Sequence, residues 1–317
     1  MELLSLEHCL ADLMCPACGS TELSAGSEAV TCPGCGRSFP CQRGIVDFVL
    51  PEALTPDGRR ERVTNAVDLA SEKAVRRRVK KGERNPFLVA QTRRSMRAVE
   101  RLMASYGNER TLVSVGSGSG YELRALLERR RFGRVYSSDL AWSATALVPE
   151  LTKAFDGRLG LFAADFDHLP VRRQPGQVGF VYLALHHSPD PHRSLARLLE
   201  RNFDELVMVE PLTNWLVEVL ARLRLARRIE YSGAAPQWLR LRRLRRIARE
   251  HGHGLRVETW WEIPRDQLPR RLRRSRRAWW PLFALVEGIS WLTRPFNMGS
   301  MAAIRLSRAQ HRDCNCV

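Results

Sequence analysis

From residue 111 onward the chain alternates short apolar runs with amphipathic ones. The apolar runs are Thr111–Val115 (TLVSV), Arg134–Ser138 (RVYSS), Leu159–Ala163, Val178–Leu183 and Glu205–Val209. Between them the pattern predicts helices over Glu122–Arg130, Ser143–Ala154 and Pro191–Arg201. Short, nearly continuous apolar strands separated by helices are the signature of a parallel sheet buried on both faces. The predicted fold is therefore α/β, a doubly wound Rossmann-like sheet. Downstream, Asn214–Ile229 and Gln237–Glu250 read as helices; the second sets Leu241, Leu244 and Ala248 on one face among arginines and stops at Gly252. Leu255–Ile263 and Met301–Ser307 read as two further strands. Upstream, Pro51 and Thr55–Gly58 read as turn, Arg59–Lys81 as a polar basic helix, and Phe87–Tyr106 as a helix started at Asn85-Pro86 with Leu88, Met96, Val99 and Met103 as apolar positions. The expected units are 1–50, a helical linker or lid at 51–106, and a main domain at 107–317 carrying an insertion at 264–300.

A chain of 317 residues with 44% hydrophobic content can bury a sizeable core. Its formal charge is +17, and the only lysines are Lys73, Lys80, Lys81 and Lys153, so the excess is arginine. Guanidinium forks suit phosphate, which makes RNA and an anionic membrane surface the candidate partners. The plainer alternative is a generic solvated arginine surface. The amino terminus lacks a basic segment followed by a long apolar core, and no run reaches about 18 apolar residues. These features predict a cytoplasmic protein with no transmembrane segment.

Two near-identical knuckles stand in the first fifty residues, Cys15-Pro-Ala-Cys18-Gly19 and Cys32-Pro-Gly-Cys35-Gly36. Each turn aims two thiolates at one centre, and two such turns give a closed, structural Cys₄ zinc site. So few residues need the metal to fold. Cys41 is spare, and Cys9 reads as a buried apolar residue.

The most informative stretch is TLVSVGSGSGY. A strand runs into Gly116, Gly118 and Gly120, and a helix follows at once. Such a turn lets a ligand approach the backbone and the free N–H groups of the helix. Asp139 closes the next strand about twenty residues on, where a carboxylate accepts ribose hydroxyls. Asp165, at the end of the third strand and followed by Leu169-Pro170, suits the adenine amino group of S-adenosylmethionine. The spacing GxGxG also tilts away from dinucleotides.

Two resemblances follow from these residues. The run from Cys15 to Leu50, with Phe39, Pro40, Gly44 and Ile45, resembles the zinc ribbon of Trm112-like proteins, a version of which stands at the N-terminus of some bacterial rRNA guanine methyltransferases. Residues 107–210 resemble the class I S-adenosylmethionine-dependent methyltransferases, in the subgroup whose fourth strand ends in Leu185-His186-His187 with Pro189-Asp190 after it. The resemblance implies a seven-stranded sheet. It also implies a cofactor site made of Gly116, Ser117, Gly118, Gly120, Asp139, Leu140, Asp165, Phe166 and Leu183. It sets His186 and His187 where the methyl group would face substrate, as candidate general bases or as scaffold, with Glu210 on the same side. The chain departs from the family at Ser114, where an acid is usual, and at Gln177, which stands where an acid usually opens the fourth strand.

The insertion at 264–300 carries an arginine run (Arg270 to Arg277 around Leu272 and Ser275), then Trp279, Trp280, Phe283 and Trp291. Arginines beside aromatics suit RNA, an anionic membrane, or a substrate lid. Cys314 and Cys316 close the chain as a tail. The expected function is an S-adenosylmethionine-dependent methyltransferase with a structural zinc ribbon, acting on RNA. The alternatives are a small-molecule or membrane-associated lipid or quinone substrate, and a non-catalytic RNA- or protein-binding scaffold, for which Ser114 speaks.

Overall fold

A computed structural model of the chain describes residues 1–66, 77, 86–223, 237–263 and 275–308. The basic pattern beyond 66 (Arg77 excepted), the predicted helix beyond 223, the arginines at 270–274 and the tail with Cys314 and Cys316 lie outside the described residues.

After β1 (Glu2–Leu3) and α1 (Leu6–Leu10) come the ribbon strands β2 (Ser24–Ala25), β3 (Ala29–Thr31), β4 (Ser38–Gln42) and β5 (Ile45–Asp47). Helices α2 (Pro56–Thr64) and α3 (Pro86–Leu102) lead to β6 (Thr111–Val115). Then follow α4 (Tyr121–Leu127), β7 (Arg134–Asp139), α5 (Trp142–Thr145), α6 (Val148–Thr152), β8 (Arg158–Ala163), β9 (Gln177–Tyr182), α7 (Pro191–Arg201) and β10 (Glu205–Thr213). The last elements are α8 (Trp215–Arg222), β11 (Leu239–Arg240), α9 (Leu241–Glu250), β12 (His253–Trp260), α10 (Arg276–Thr293) and β13 (Met301–Arg308).

The main sheet has the order β12-β13-β10-β9-β6-β7-β8. Strands β6 to β10 are mutually parallel where they pair, and β13 runs antiparallel to both β10 and β12. The order reverses at β6, which has β7 on one side and β9 on the other; ligands of such sheets bind at the carboxyl ends beside that reversal. Alternate residues of each strand feed two cores. Val113, Tyr136, Phe162 and Val181 pack with α7 and α9 on one face, whereas Leu112, Val135, Leu161 and Phe180 pack with α3, α4 and α6 on the other. This two-sided burial is why the strands read as continuous apolar runs.

The sheet does not stop at β8. Strand β5 pairs with it in parallel through Val46↔Phe162 and Asp47↔Ala163, and β4, β3 and β2 continue the order into the ribbon. Phe39 packs on Phe48 with ring centres 5.0 Å apart and planes tilted by 53°, and Phe48 meets Phe162 edge-on at 6.4 Å. A ribbon too small to bury a core of its own thus shares that of the sheet, and it covers what would be an exposed edge strand.

Three local readings change. The helix expected over Ser143–Ala154 is broken between α5 and α6, because the ring of Pro149 would collide with the carbonyl of Thr145 four residues back. Strand β10 continues past Glu210 to Thr213, since β13 pairs with it as far as Pro211↔Met301 and β11 flanks its end. Residues 239–240, expected to be helical, form β11 instead.

Candidate functional site

The four ribbon cysteines converge. The Sγ atoms of Cys15, Cys18, Cys32 and Cys35 all lie within 4.8 Å of one another, with Cys15–Cys35 at 3.7 Å and Cys18–Cys32 at 3.6 Å. Four sulfurs at about 2.3 Å from one tetrahedral ion would stand about 3.8 Å apart, so the donor set fits zinc and closes around it. Both knuckles use the same turn: Gly19 N–H donates to Cys15 O and Gly36 N–H to Cys32 O, each at 2.8 Å. Cys41 lies outside the cluster, and burial pushes the Cys9 thiol up to about 12, in keeping with a packed apolar residue.

At the carboxyl edge of the sheet a cavity of about 640 Å³ opens over the glycine turn. Gly116, Gly118 and Ser117 form its floor, with Asp139, Leu140, Asp165, Phe166 and Leu183 around it. Gly120 lies behind the floor at the start of α4. Ser117 ties the turn to β7, its Oγ 2.6 Å from Ser137 Oγ and donating to Ser138 O. Asp139 holds it from the other side, accepting from Gly118 N–H at 2.8 Å and from Ala141 N–H at 3.0 Å. Burial pushes the Asp139 carboxyl up, and those two N–H groups oppose the shift by favouring the charged form. Each oxygen keeps acceptor capacity for a ligand hydroxyl. Leu183 adopts φ +49, a left-handed backbone that a leucine takes only under constraint; its N–H donates to Val209 O at 2.8 Å.

Asp165 is partly spent on its own turn. Its Oδ1 accepts from the N–H groups of Asp167 (2.7 Å) and His168 (2.9 Å), and its Oδ2 lies 3.1 Å from His168 Nδ1. That contact raises the His168 pKa, against the burial that lowers it.

The two histidines part company. His187 lines the cavity, with Nδ1 3.9 Å from Glu61 Oε1. His186 is buried behind it, and Nδ1 lies 2.6 Å from Glu210 Oε2. The other oxygen of Glu210 accepts the N–H groups of Ala184 (2.9 Å) and Leu185 (2.7 Å). Glu210 is fully buried. Of the two readings open for His186, general base or scaffold, this burial and pairing fit the scaffold one, and Glu210 lies behind the cavity wall rather than on it. The pair braces the bend after β9, because two polar side chains removed from water at a strand end satisfy each other and the local backbone.

Several cavity residues escaped the sequence reading. Helix α2 contributes Gly58 and Glu61, and Asn65 follows it, so the amino-terminal part of the basic pattern is a cavity wall. Arg193 and Arg197 of α7 stand at the far side. The most consequential is Glu122, in the first turn of α4. It faces the cavity, makes no side-chain hydrogen bond or ion pair among the described residues, and burial pushes its carboxyl up with only its own N–H acting against that. The available signal was an acid just after the glycines, which a reader takes for ordinary helix-dipole complementarity. Ser114 is buried within β6 and is absent from the cavity wall.

No family model matches the sequence, and no curated protein matches it. Solved structures similar to the chain include a complex between the Trm112 methyltransferase activator of Haloferax volcanii and a methyltransferase. That match has 17% identity and a TM-score of 0.44, covering 68% of this chain and 91% of the other. Another is the magnesium protoporphyrin IX methyltransferase of Synechocystis PCC 6803 with SAM bound, at 12% identity and TM-score 0.48, covering 81% and 99%. A third is a SAM-dependent methyltransferase of Thermotoga maritima, described as a possible histamine N-methyltransferase, at 12% identity and TM-score 0.44, covering 69% and 91%.

Proposed function

We propose that the chain is an S-adenosylmethionine-dependent methyltransferase whose ribbon holds one structural zinc ion. The observation that carries this reading is Glu122. In a dinucleotide-binding βα turn the helix N-terminus receives a pyrophosphate. Here a carboxylate faces the cavity at that point, so an anionic group is repelled and a cationic one attracted. Asp139, on the other side of the glycine turn, is an acceptor for a ribose diol. A nucleoside with a diol at one end and positive charge at the other matches this pair of carboxylates. Glu122 would also take over from the acid missing at Ser114, which favours an active enzyme over a scaffold.

When bound, S-adenosylmethionine supplies an electrophilic methyl group on a cationic sulfur. The chain's own residues supply the rest. The backbone of Gly116–Gly118 would allow close approach, Asp139 and Glu122 would hold the two ends, and Leu140, Phe166 and Asp165, which line the same cavity, would hold the base. His187, which lines the cavity, would take the proton from an O–H or N–H acceptor, and Glu61 would stabilise the imidazolium formed. RNA and a membrane-associated small molecule are the two acceptor classes that the charge supports.

Calorimetric titration of the zinc-loaded protein with S-adenosylmethionine, S-adenosylhomocysteine and NAD tests the reading. Micromolar binding of the first, weakened at least tenfold by Asp139→Ala, with NAD inert, is the expected result. A folded protein that binds no S-adenosylmethionine up to millimolar concentration overturns it and leaves the scaffold in its place.

A further inference from the structure

Helix α10 has an outer face that no other described residue covers. From Ala278 to Thr293 its only charged residue is Glu287, which pairs with Arg94 at 2.7 Å. The inner side is anchored: Trp279 meets Phe87 edge-on at 5.6 Å, and Ser290 Oγ accepts from Trp261 N–H at 2.8 Å. The outer side presents Trp280, Leu282, Leu285, Ile289, Trp291 and Leu292 to solvent, with Trp291 76% and Leu292 64% exposed. Phe296, just past the helix, is 72% exposed. Large apolar side chains exposed side by side in this number mark an interaction surface rather than scattered surface residues. Helix α8 adds a second stripe, with Trp215, Val219 and Leu223 exposed at four-residue spacing.

Both helices hang from the edge of the sheet that carries the cavity. Helix α8 follows the carboxyl end of β10. The segment holding α10 leaves at Trp260 and returns at Met301, which pair with each other, and Met301 pairs with Pro211 of β10.

We propose that the outer faces of α10 and α8 dock on an anionic lipid bilayer. Charge selects this occupant. Arg97 lines a groove with Trp280 and Trp291, and Arg93 lies one turn before it on α3. Arg277 opens α10. These three arginines are exposed and have no carboxylate partner among the described residues. A second copy of the chain would bring the same arginines face to face on molecules of charge +17. RNA would find phosphate contacts at the arginines and stacking partners at Trp280 and Trp291, but Leu282, Leu285, Ile289 and Leu292 offer it neither stacking nor hydrogen bonds. Headgroups at the arginines and acyl chains under the leucines satisfy both parts. No helix among the described residues is long and apolar enough to cross a membrane, so the contact lies on the surface. The docking does not depend on how the cavity is read. If the cavity transfers methyl groups, the surface brings it to lipid-dissolved acceptors.

The test is co-sedimentation of the full-length, zinc-loaded protein with vesicles of equimolar phosphatidylglycerol and phosphatidylcholine, and with phosphatidylcholine alone. Binding to the anionic vesicles is expected, with a blue shift of tryptophan emission. Leu285→Glu combined with Trp291→Glu, both at exposed positions, should weaken it at least tenfold without changing the circular dichroism. Arg93→Ala and Arg97→Ala should each weaken it about fivefold at low salt. The proposal is overturned if the wild type ignores anionic vesicles, or if the double variant binds them as well as the wild type does. It is equally overturned if the double variant loses only binding to single-stranded RNA, or only a self-association seen by sedimentation velocity.

Discussion

Alanine at Gly116 and at Gly118 separates two costs that the glycine turn imposes. Both residues hold positive φ, +68 and +52, so each alanine carries the left-handed penalty of about 1–2 kcal/mol. At Gly116 a Cβ would also fall 2.5 Å from Ala184 Cβ and 3.0 Å from Phe166 Cζ. Ala184 cannot easily retreat, because its N–H is held by Glu210 at 2.9 Å within the buried brace behind it. Overpacking of that kind costs roughly 1–3 kcal/mol, so Gly116→Ala should lose roughly 2–5 kcal/mol in all. At Gly118 nothing lies within 4 Å of the Cβ, which points to open space, and only the backbone penalty applies. Urea unfolding followed by tryptophan fluorescence reads the difference. With m near roughly 3 kcal/mol/M, the Gly116→Ala midpoint should lie roughly 0.3–1 M below that of Gly118→Ala. Cofactor binding should fall in both, because the new methyl at 118 intrudes on the cavity floor. Equal midpoints, or a lower one for Gly118→Ala, would refute the packing described for the turn.

Glu210→Ala should destabilise by at least roughly 3 kcal/mol, since it strands two backbone N–H groups and a buried imidazole; His187→Gln, on the cavity wall, should shift the urea midpoint little, and the reverse order would contradict the division of labour between the two histidines. Burial raises the Glu122 carboxyl above its unfolded value, so the folded chain binds more protons in that window and stability falls as pH rises through it. Glu122→Gln should therefore be more stable than the wild type above the window and alike below it, yet bind S-adenosylmethionine more weakly; parallel unfolding profiles between pH 4 and 7 would count against the desolvated carboxylate. Elemental analysis should find one zinc per chain, lost in Cys32→Ser. Chelation should also lower the melting temperature of the whole domain, because β5 belongs to both ribbon and sheet. A metal-free protein of unchanged stability would exclude the structural role.

The sequence determined the elements whose physics is local. The two cysteine knuckles, the glycine turn between β6 and α4, and helix α7 over Pro191–Arg201 follow from spacing, turn chemistry and a proline-led helix start, all of which act over a few residues. The alternation of apolar runs with helices was enough for the parallel sheet. Asp139 was legible because a strand's last residue has only one place to be. What tertiary structure decided is which groups face the cavity. His186 and His187 are adjacent in sequence, and only the packing of β10 behind the bend sends one to Glu210 and the other to the cavity. In the sequence Glu122 is only the first residue of a predicted helix, and the walls that desolvate it come from elsewhere in the fold. The ribbon, read as a separate unit at residues 1–50, shares its last strand with β8, because strand pairing across more than a hundred residues leaves no mark on either segment. The exposed face of α10 is of the same kind: the aromatics of the insertion mark a segment that wants cover, and only the folded surroundings show which side the other described residues leave open.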